Sequence, residues 1–211
     1  MPLRRRIVWL ITFAVAMAYV ESAVVVYLRT IYYPQGFSFP LVLLPPGMVG
    51  IEMGREVATL VMLLGVAMLA GEDRWDRILV FCVGFGVWDI AYYIWLWVFL
   101  RWPPSLLTWD VLFLIPVPWV GPVVAPLVVS VVLVGGGLLL LRRRAGREAV
   151  RFPLSLQALA LAGGVLVLGS FTLDFRVVVR QMEPPPFRWG LFGTGVALAV
   201  AALGLALRRK A

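Results

Sequence analysis

Residues 50–70 read GIEMGREVATLVMLLGVAMLA and decide the fold class. After Glu52, Arg55 and Glu56 the stretch is almost wholly apolar. The hydrocarbon core of a bilayer is about 30 Å thick, so a transmembrane helix needs about 20 consecutive, mostly apolar residues. The stretch therefore predicts a membrane-spanning helix that carries three charged side chains near its start.

Five further apolar runs of similar length accompany this one. The chain is 62% hydrophobic and 14% charged, with a mean hydropathy of +0.96. A soluble domain is nearer ~45–50% apolar and ~25% charged. We therefore expect one all-α integral membrane domain over residues 1–211, a polytopic bundle of six transmembrane helices. The predicted helices cover about 7–31, 50–70, 78–100, 119–141, 154–179 and 187–207.

Basic residues predict the orientation of the chain, because cytoplasmic flanks of membrane helices carry an excess of Arg and Lys. Thirteen lie on one side of the predicted bundle: Arg4, Arg5, Arg6, Arg74, Arg77, Arg142, Arg143, Arg144, Arg147, Arg151, Arg208, Arg209 and Lys210. Four lie on the other side: Arg29, Arg101, Arg180 and Arg188. We expect cytoplasmic N and C termini in a bacterial or archaeal cytoplasmic (inner) membrane. The net charge of +8 is then a topology signal, so we expect membrane lipid and no nucleic acid as a partner.

Two segments on the predicted outer side are too short to span the membrane and too apolar for solvated loops. Residues 37–46 and 105–115 are rich in proline and aromatic residues or flanked by them. We expect both to be interfacial or re-entrant. They serve either as anchors or as a lid over a cavity. In the second segment, Ser105 is placed to cap a short helix that ends at Ile115, before Pro116.

Charged residues interrupt four of the predicted helices. A charge at the bilayer centre costs about 2.5–3.5 kcal/mol by insertion scales, so such residues usually pair, line a cavity or do chemistry. All of them are predicted at or outside the midplane: Glu21, Glu52, Arg55, Glu56, Asp89, Asp174 and Arg176, joined by Asp110 from the second outer segment. This one-sided pattern favours a site open to the outer leaflet over a midplane transport site.

Three carboxylates are the candidate catalytic groups. Glu52 and Glu56 share one helix face with Arg55, because residues three and four apart are neighbours on a helix. Two carboxylates so close supply a proton donor beside an acceptor, without histidine. The alternative is an ion-paired face that docks on another helix. Asp89 precedes Tyr92 and Tyr93 by one turn, which indicates either an aromatic-walled pocket or a packed aromatic helix with one satisfied acid.

The other candidate residues would bind a ligand. They are Glu21, Arg55, Tyr92, Tyr93, Asp110, Asp174 and Arg176. Arg55 and Arg176 are expected to hold an anion or to tune the acids. Arg176 and Arg180 form an arginine face that would meet Glu21 or Glu52, or alternatively an anionic headgroup or a substrate phosphate. An internal ion-pair network explains the same charges.

Cofactor chemistry is restricted by composition. The chain has no histidine and one cysteine, Cys82, so we expect no His-ligated haem, no usual catalytic zinc and no intrachain disulfide. A divalent cation held by carboxylates is compatible with the sequence. No spacing defines a metal motif, so we assign no metal site and leave the cofactor unknown.

The function that these patterns favour is a carboxylate and arginine site in the extracytoplasmic half of the bilayer. It would bind or act on an amphipathic or lipid-like ligand with an anionic part. The first rival is a proton- or cation-coupled small-solute transporter or channel. The second rival is a structural subunit of a larger membrane complex. Whether the protein is an enzyme, and its oligomeric state, stay open at this point.

Overall fold

The computed structural model describes residues 1–146 and 152–208. Within them, six helical segments are long and apolar enough to cross a membrane. This confirms the expected all-helical architecture and is compatible with a multi-pass membrane protein; which side of a membrane each end faces stays a prediction. The helices are α1 Leu3–Tyr32, α2 Pro46–Ala70, α3 Arg74–Leu100, α4 Val124–Ala145, α5 Leu154–Thr172, the short α6 Phe175–Val179 that completes the fifth span, and α7 Trp189–Arg208.

The short helix predicted within 105–115 is wrong. The chain instead forms an antiparallel hairpin of β1 Trp109–Phe113 and β2 Trp119–Pro122. Pro116 and Pro118 lie in the connection, where they have no backbone N–H to offer a helix. Aromatic and β-branched residues on either side of them favour extended structure.

The hairpin also corrects the predicted start of the fourth helix. Residues 119–122 pair with β1, with Asp110 opposite Gly121 and Val111 opposite Val120. Helix α4 therefore begins at Val124 instead of 119. The other long helices begin and end within several residues of their predicted bounds.

Helix α3 lies at the centre of the main helix group and packs against α1, α2 and α4. Gly86 of α3 lies so near α4 that a Cβ there would come within 2.7 Å of the Ser130 carbonyl oxygen. Gly136 and Gly137 of α4 lie similarly close to α7 and α3, as expected for glycines that allow close helix packing. Helices α5 and α7 form a second, closely packed pair.

The two ends of the bundle have different contents. We call one the arginine end, where Arg6 of α1 donates to Asp76 of α3 at 3.0 Å and Asp73 caps α3 through the Trp75 amide at 2.8 Å. Between these contacts and the middle of the bundle lies a cluster of apolar side chains that includes Leu10, Val83 and Leu141. Four basic residues that were counted for topology, Arg147, Arg151, Arg209 and Lys210, lie outside the described residues.

The opposite end, which we call the hairpin end, is formed by residues 33–45, 101–123 and 180–188. Residues 33–45 contain neither helix nor strand. Tyr33 fixes this segment by accepting a hydrogen bond from the Val42 amide at 2.8 Å. Gln181 donates to the Leu41 carbonyl at 3.3 Å, which joins the segment to the chain after α6. These connections cover the site described next.

Candidate functional site

A cavity of about 490 Å³ opens among α1, α2, α3, β1 and α6 at the hairpin end. Its volume lies within the usual range of about 300–1,000 Å³ for ligand pockets. Most of its wall is apolar or aromatic. The charged and hydroxyl-bearing residues on the wall, apart from tyrosines, are Glu21, Arg29, Glu52, Arg55, Glu56, Thr59, Asp89 and Asp110.

Arg55 joins α2 to α1 through two buried carboxylates. Its Nε and Nη2 donate to Glu52 at 3.0 and 2.9 Å, and its Nη1 pairs with Glu21. The Thr59 hydroxyl donates to the other oxygen of Glu21 at 2.7 Å. Glu52 and Arg55 therefore fit the alternative interpretation, in which an ion-paired face of α2 docks on another helix. That helix is α1, and the residue that Arg55 contacts there is Glu21.

Glu56 lies one turn along α2 and has a different partner. Both of its oxygens accept from the Leu114 amide just after β1, at 3.0 and 2.9 Å. Within the described residues no hydrogen bond joins Glu56 to Glu52. The two carboxylates that were expected to act as a pair therefore have different partners, since Glu52 pairs with Arg55 and Glu56 accepts from a backbone amide. Both of them line the cavity.

Asp89 of α3 is buried and accepts one hydrogen bond, from the Ser130 hydroxyl of α4 at 2.8 Å. Beside it the rings of Trp88 and Tyr92 stack at 6.1 Å, and Phe113 of β1 lies 6.2 Å from Trp88. These side chains line the cavity together with Asp89. The expected aromatic wall next to a carboxylate is therefore present.

A second buried ion pair connects α1 to the hairpin. Arg29 donates to Asp110 at 3.0 Å, and Tyr93 donates to the other oxygen of Asp110 at 3.2 Å. The Arg29 guanidinium lies over the Trp102 ring at 3.7 Å and the Phe37 ring at 4.4 Å. Burial raises the pKa of Asp110 to about 6, against the opposing effect of Arg29.

Asp174 and Arg176 lie away from the cavity wall. Asp174 accepts from Arg188 at 2.8 Å on both oxygens, and Arg176 lies 5.8 Å from the Phe175 ring with its own side chain exposed. The expected contact of an Arg176–Arg180 face with Glu21 or Glu52 is wrong, since Arg55 occupies that position. The cause is local: α5 ends at Thr172, so Asp174 falls at a helix junction and not within a continuous helix.

Sequence reasoning missed two polar residues of the site. Arg29 was counted only for topology, although it lies eight residues after Glu21 and so on the same face of α1. Ser130 is a lone hydroxyl in an otherwise apolar helix, which was its only signal. Each now holds a buried carboxylate of a neighbouring element.

The described residues contain no group of three or more carboxylate or thiol side chains that could hold a metal ion. The wall carboxylates accept from guanidinium, hydroxyl and amide groups of the chain itself. The arrangement thus offers an apolar, aromatic-walled space with several carboxylates on its surface. Comparison with family models, with curated proteins and with solved structures finds no match to this chain.

Proposed function

We propose that this protein binds an amphipathic, lipid-like molecule in a membrane-embedded site that opens in the extracytoplasmic half of the bilayer. The observation that carries the proposal is the cavity at the hairpin end, whose wall is mostly apolar and bears a few convergent polar groups. An apolar wall takes up a hydrocarbon chain, and a few fixed polar groups orient its head. Glu52, Glu56 and Asp89 are the groups that we assign to the head.

The extracytoplasmic placement rests on the distribution of charge. The hairpin end carries few basic residues, whereas Arg4, Arg5, Arg142 and Arg144 cluster at the arginine end. An excess of Arg and Lys marks the cytoplasmic side, so the cavity belongs to the opposite side. A lipid from the outer leaflet would reach it without crossing the bilayer.

The three proposed carboxylates differ in how far the protein already uses them. Glu52 pairs with Arg55, which it shares with Glu21. Glu56 and Asp89 accept only amide or hydroxyl hydrogens, so neither is paired with a guanidinium of the described residues, and each retains acceptor capacity. These two are placed to bind a ligand head or to exchange a proton with it. Binding is common to both uses, and it is the step we propose.

The transporter alternative requires a polar route from the cavity to the arginine end. Between them lies the apolar cluster that contains Leu10, Val83 and Leu141, all at most 4% exposed. No continuous row of polar side chains crosses this part of the described chain. The geometry therefore favours a one-sided site, and we keep transport as an outcome of the test below.

The proposal is tested by filling the cavity from one helix. Met53 of α2 lines the cavity, and Met62, on the same helix, does not. The protein is purified in mild detergent from its host membrane and examined by native mass spectrometry for retained lipid. We expect the unmodified protein and Met62→Trp to retain lipid. We expect Met53→Trp to lose the lipid while its thermal stability stays that of the unmodified protein.

Equal retention by the two tryptophan variants would overturn the cavity as the binding site. Absence of retained lipid in the unmodified protein, together with solute uptake that depends on a proton or cation gradient in proteoliposomes, would favour the transporter. A stably bound protein subunit with no lipid would favour the structural role.

A further inference from the structure

The cavity wall carries more negative than positive groups. Glu21, Glu52, Glu56, Asp89 and Asp110 provide five carboxylates, whereas Arg29 and Arg55 provide two guanidiniums. Both guanidiniums already pair with carboxylates, Arg29 with Asp110 and Arg55 with Glu52 and Glu21. Three carboxylates are therefore in excess. In a low-dielectric site each must take up a proton or meet a cation.

Two residues that line the cavity also carry buried N–H donors that lack acceptors in the described part of the chain. The Trp88 indole nitrogen Nε1 and the Arg29 nitrogen Nη1 are buried and find no hydrogen-bond partner within the described residues. Both residues are more than nine-tenths buried, at 6% and 8% exposure, and both line the cavity. A buried donor without an acceptor destabilises the folded protein, so the site is incomplete without an acceptor from elsewhere.

From these two observations we propose that the ligand's head group combines a cationic nitrogen with an acceptor oxygen. This inference rests on the proposed lipid-binding function and names the chemistry of its ligand. The positive nitrogen is matched to the excess carboxylates, of which Glu56 and Asp89 have no cationic partner. The oxygen is matched to the unpartnered N–H groups of Trp88 and Arg29.

The aromatic wall supports the cationic part of this assignment. The Trp88 ring lies 6.1 Å from the Tyr92 ring and 6.2 Å from the Phe113 ring, and all three residues line the cavity together with Asp89. Ring faces attract alkylammonium and quaternary ammonium groups, and the attraction grows when water is excluded. A carboxylate flanked by rings is thus a cation site.

An anionic head has less support from the described residues. Arg55 is bracketed by two carboxylates, and Arg176, the other guanidinium expected to hold an anion, is exposed and outside the cavity. An added anion would meet an already negative wall. It would accept hydrogen bonds from the unpartnered N–H groups, but Glu56 and Asp89 would repel it.

Three probes with the same dodecyl chain separate the possibilities. Dodecylphosphocholine has a cation and the negatively charged oxygens of a phosphate, so its net charge is zero. Dodecyltrimethylammonium has the cation alone, and dodecanoate has acceptor oxygens and a net negative charge. Binding to the full chain in maltoside detergent, with each probe below its micellar concentration, is measured by native mass spectrometry. We expect dodecylphosphocholine to bind about tenfold or more tighter than dodecanoate, with dodecyltrimethylammonium between them, since tenfold corresponds to one modest polar interaction.

Two variants assign the preference to the wall. Asp89→Asn is expected to weaken the binding of both cationic probes about tenfold and to leave the binding of dodecanoate unchanged or tighter. If Asp89→Asn does not fold, Glu56→Gln is used in its place, with the same expected result. Trp88→Phe keeps a ring and removes the N–H. It is expected to weaken dodecylphosphocholine more than dodecyltrimethylammonium, which loses only the difference in ring attraction between Trp and Phe. Glu72→Gln, at an exposed position of the arginine end, is the charge-matched control.

The assigned head group would be overturned if dodecanoate bound most tightly of the three probes. It would also be overturned if Asp89→Asn, Glu56→Gln and the control Glu72→Gln all bound the cationic probes with equal affinity. If all three probes bound equally and Met53→Trp abolished their binding, the assigned head group would be overturned as well. The proposed lipid-binding function would then stand. Binding of no probe by a folded protein would remove both.

Discussion

Arg55 connects two helices of the site, since it pairs with Glu21 on a neighbouring helix and with Glu52 on its own. Removing one partner of a buried ion pair leaves an uncompensated charge and is costly by about 3–5 kcal/mol. Replacing all partners by neutral groups of similar volume is often tolerated. This contrast gives a test at the scale of the residue.

We predict that Arg55→Met lowers the free energy of unfolding by about 3 kcal/mol or more, because two buried carboxylates lose their cation. The combination Arg55→Met, Glu21→Gln and Glu52→Gln is expected to recover at least half of this loss. Reversible denaturation in mixed micelles measures both. An Arg55→Met protein as stable as the wild type would show that the pairs contribute nothing to the fold.

Asp110 gives the fold a pH dependence of known sign. Burial raises its pKa to about 6 from the usual value of 3.8, so the folded protein holds this proton more firmly than the unfolded chain. The carboxyl's contribution to stability is therefore greatest below about pH 4 and is lost as the pH rises through 6. We predict that the stability of the wild type relative to Asp110→Asn falls between pH 4 and pH 7. A difference that is constant over this range would contradict the assignment.

Sequence reasoning found most of the charged residues of the wall and missed residues whose role depends on neighbours in the fold. The helical spacing of Glu52, Arg55 and Glu56 could be read directly, as could the step from Asp89 to Tyr92. Arg29 and Ser130 became functional candidates only once the fold placed Asp110 and Asp89 beside them. Such pairings cross more than 40 residues of sequence and leave little local pattern.

At the scale of the element, the pair of α5 and α7 depends on two facing glycines. A Cβ on Gly163 would lie 2.6 Å from the Gly195 carbonyl oxygen, and one on Gly195 would lie 2.7 Å from the Gly163 carbonyl oxygen. Helices in membranes associate closely where small residues let their backbones approach. The adjacent Gly164 has nothing within 4 Å of a Cβ and serves as the matched control.

We predict that Gly163→Ala destabilises the protein by about 1–3 kcal/mol, because the helices must separate or shift. Gly164→Ala is expected to be neutral or slightly stabilising, since Ala is the better helix former. Thermal unfolding of the purified proteins measures the difference. Equal melting temperatures of the two variants would mean that α5 and α7 do not meet through these glycines.

The hairpin is the element that the sequence described least well. Its apolar run of 105–115 resembles a short buried helix as much as a strand, and length alone did not decide between them. Only the pairing of β1 with β2, and the capture of the Leu114 amide by Glu56, fixes this segment as an extended wall of the cavity. Long helices needed no such partner, since their lengths match the bilayer.

At the scale of the whole molecule, the basic residues predict that the arginine end faces the cytoplasm. Single cysteines in a Cys82→Ser background test this in intact cells with a membrane-impermeant maleimide. We expect Leu107→Cys, exposed at the hairpin end, to react from outside and Glu72→Cys to react only after permeabilisation. The reverse pattern would place the cavity on the cytoplasmic side.

The central claim is that the cavity at the hairpin end is occupied by an amphipathic molecule. The most direct measurement is an experimental density map of the full protein kept in its native membrane lipids. We predict chain-like density along the apolar wall, with its head within hydrogen-bond or ion-pair distance of Asp89 or Glu56. A cavity closed by the protein's own side chains, or one that holds only water, would contradict it.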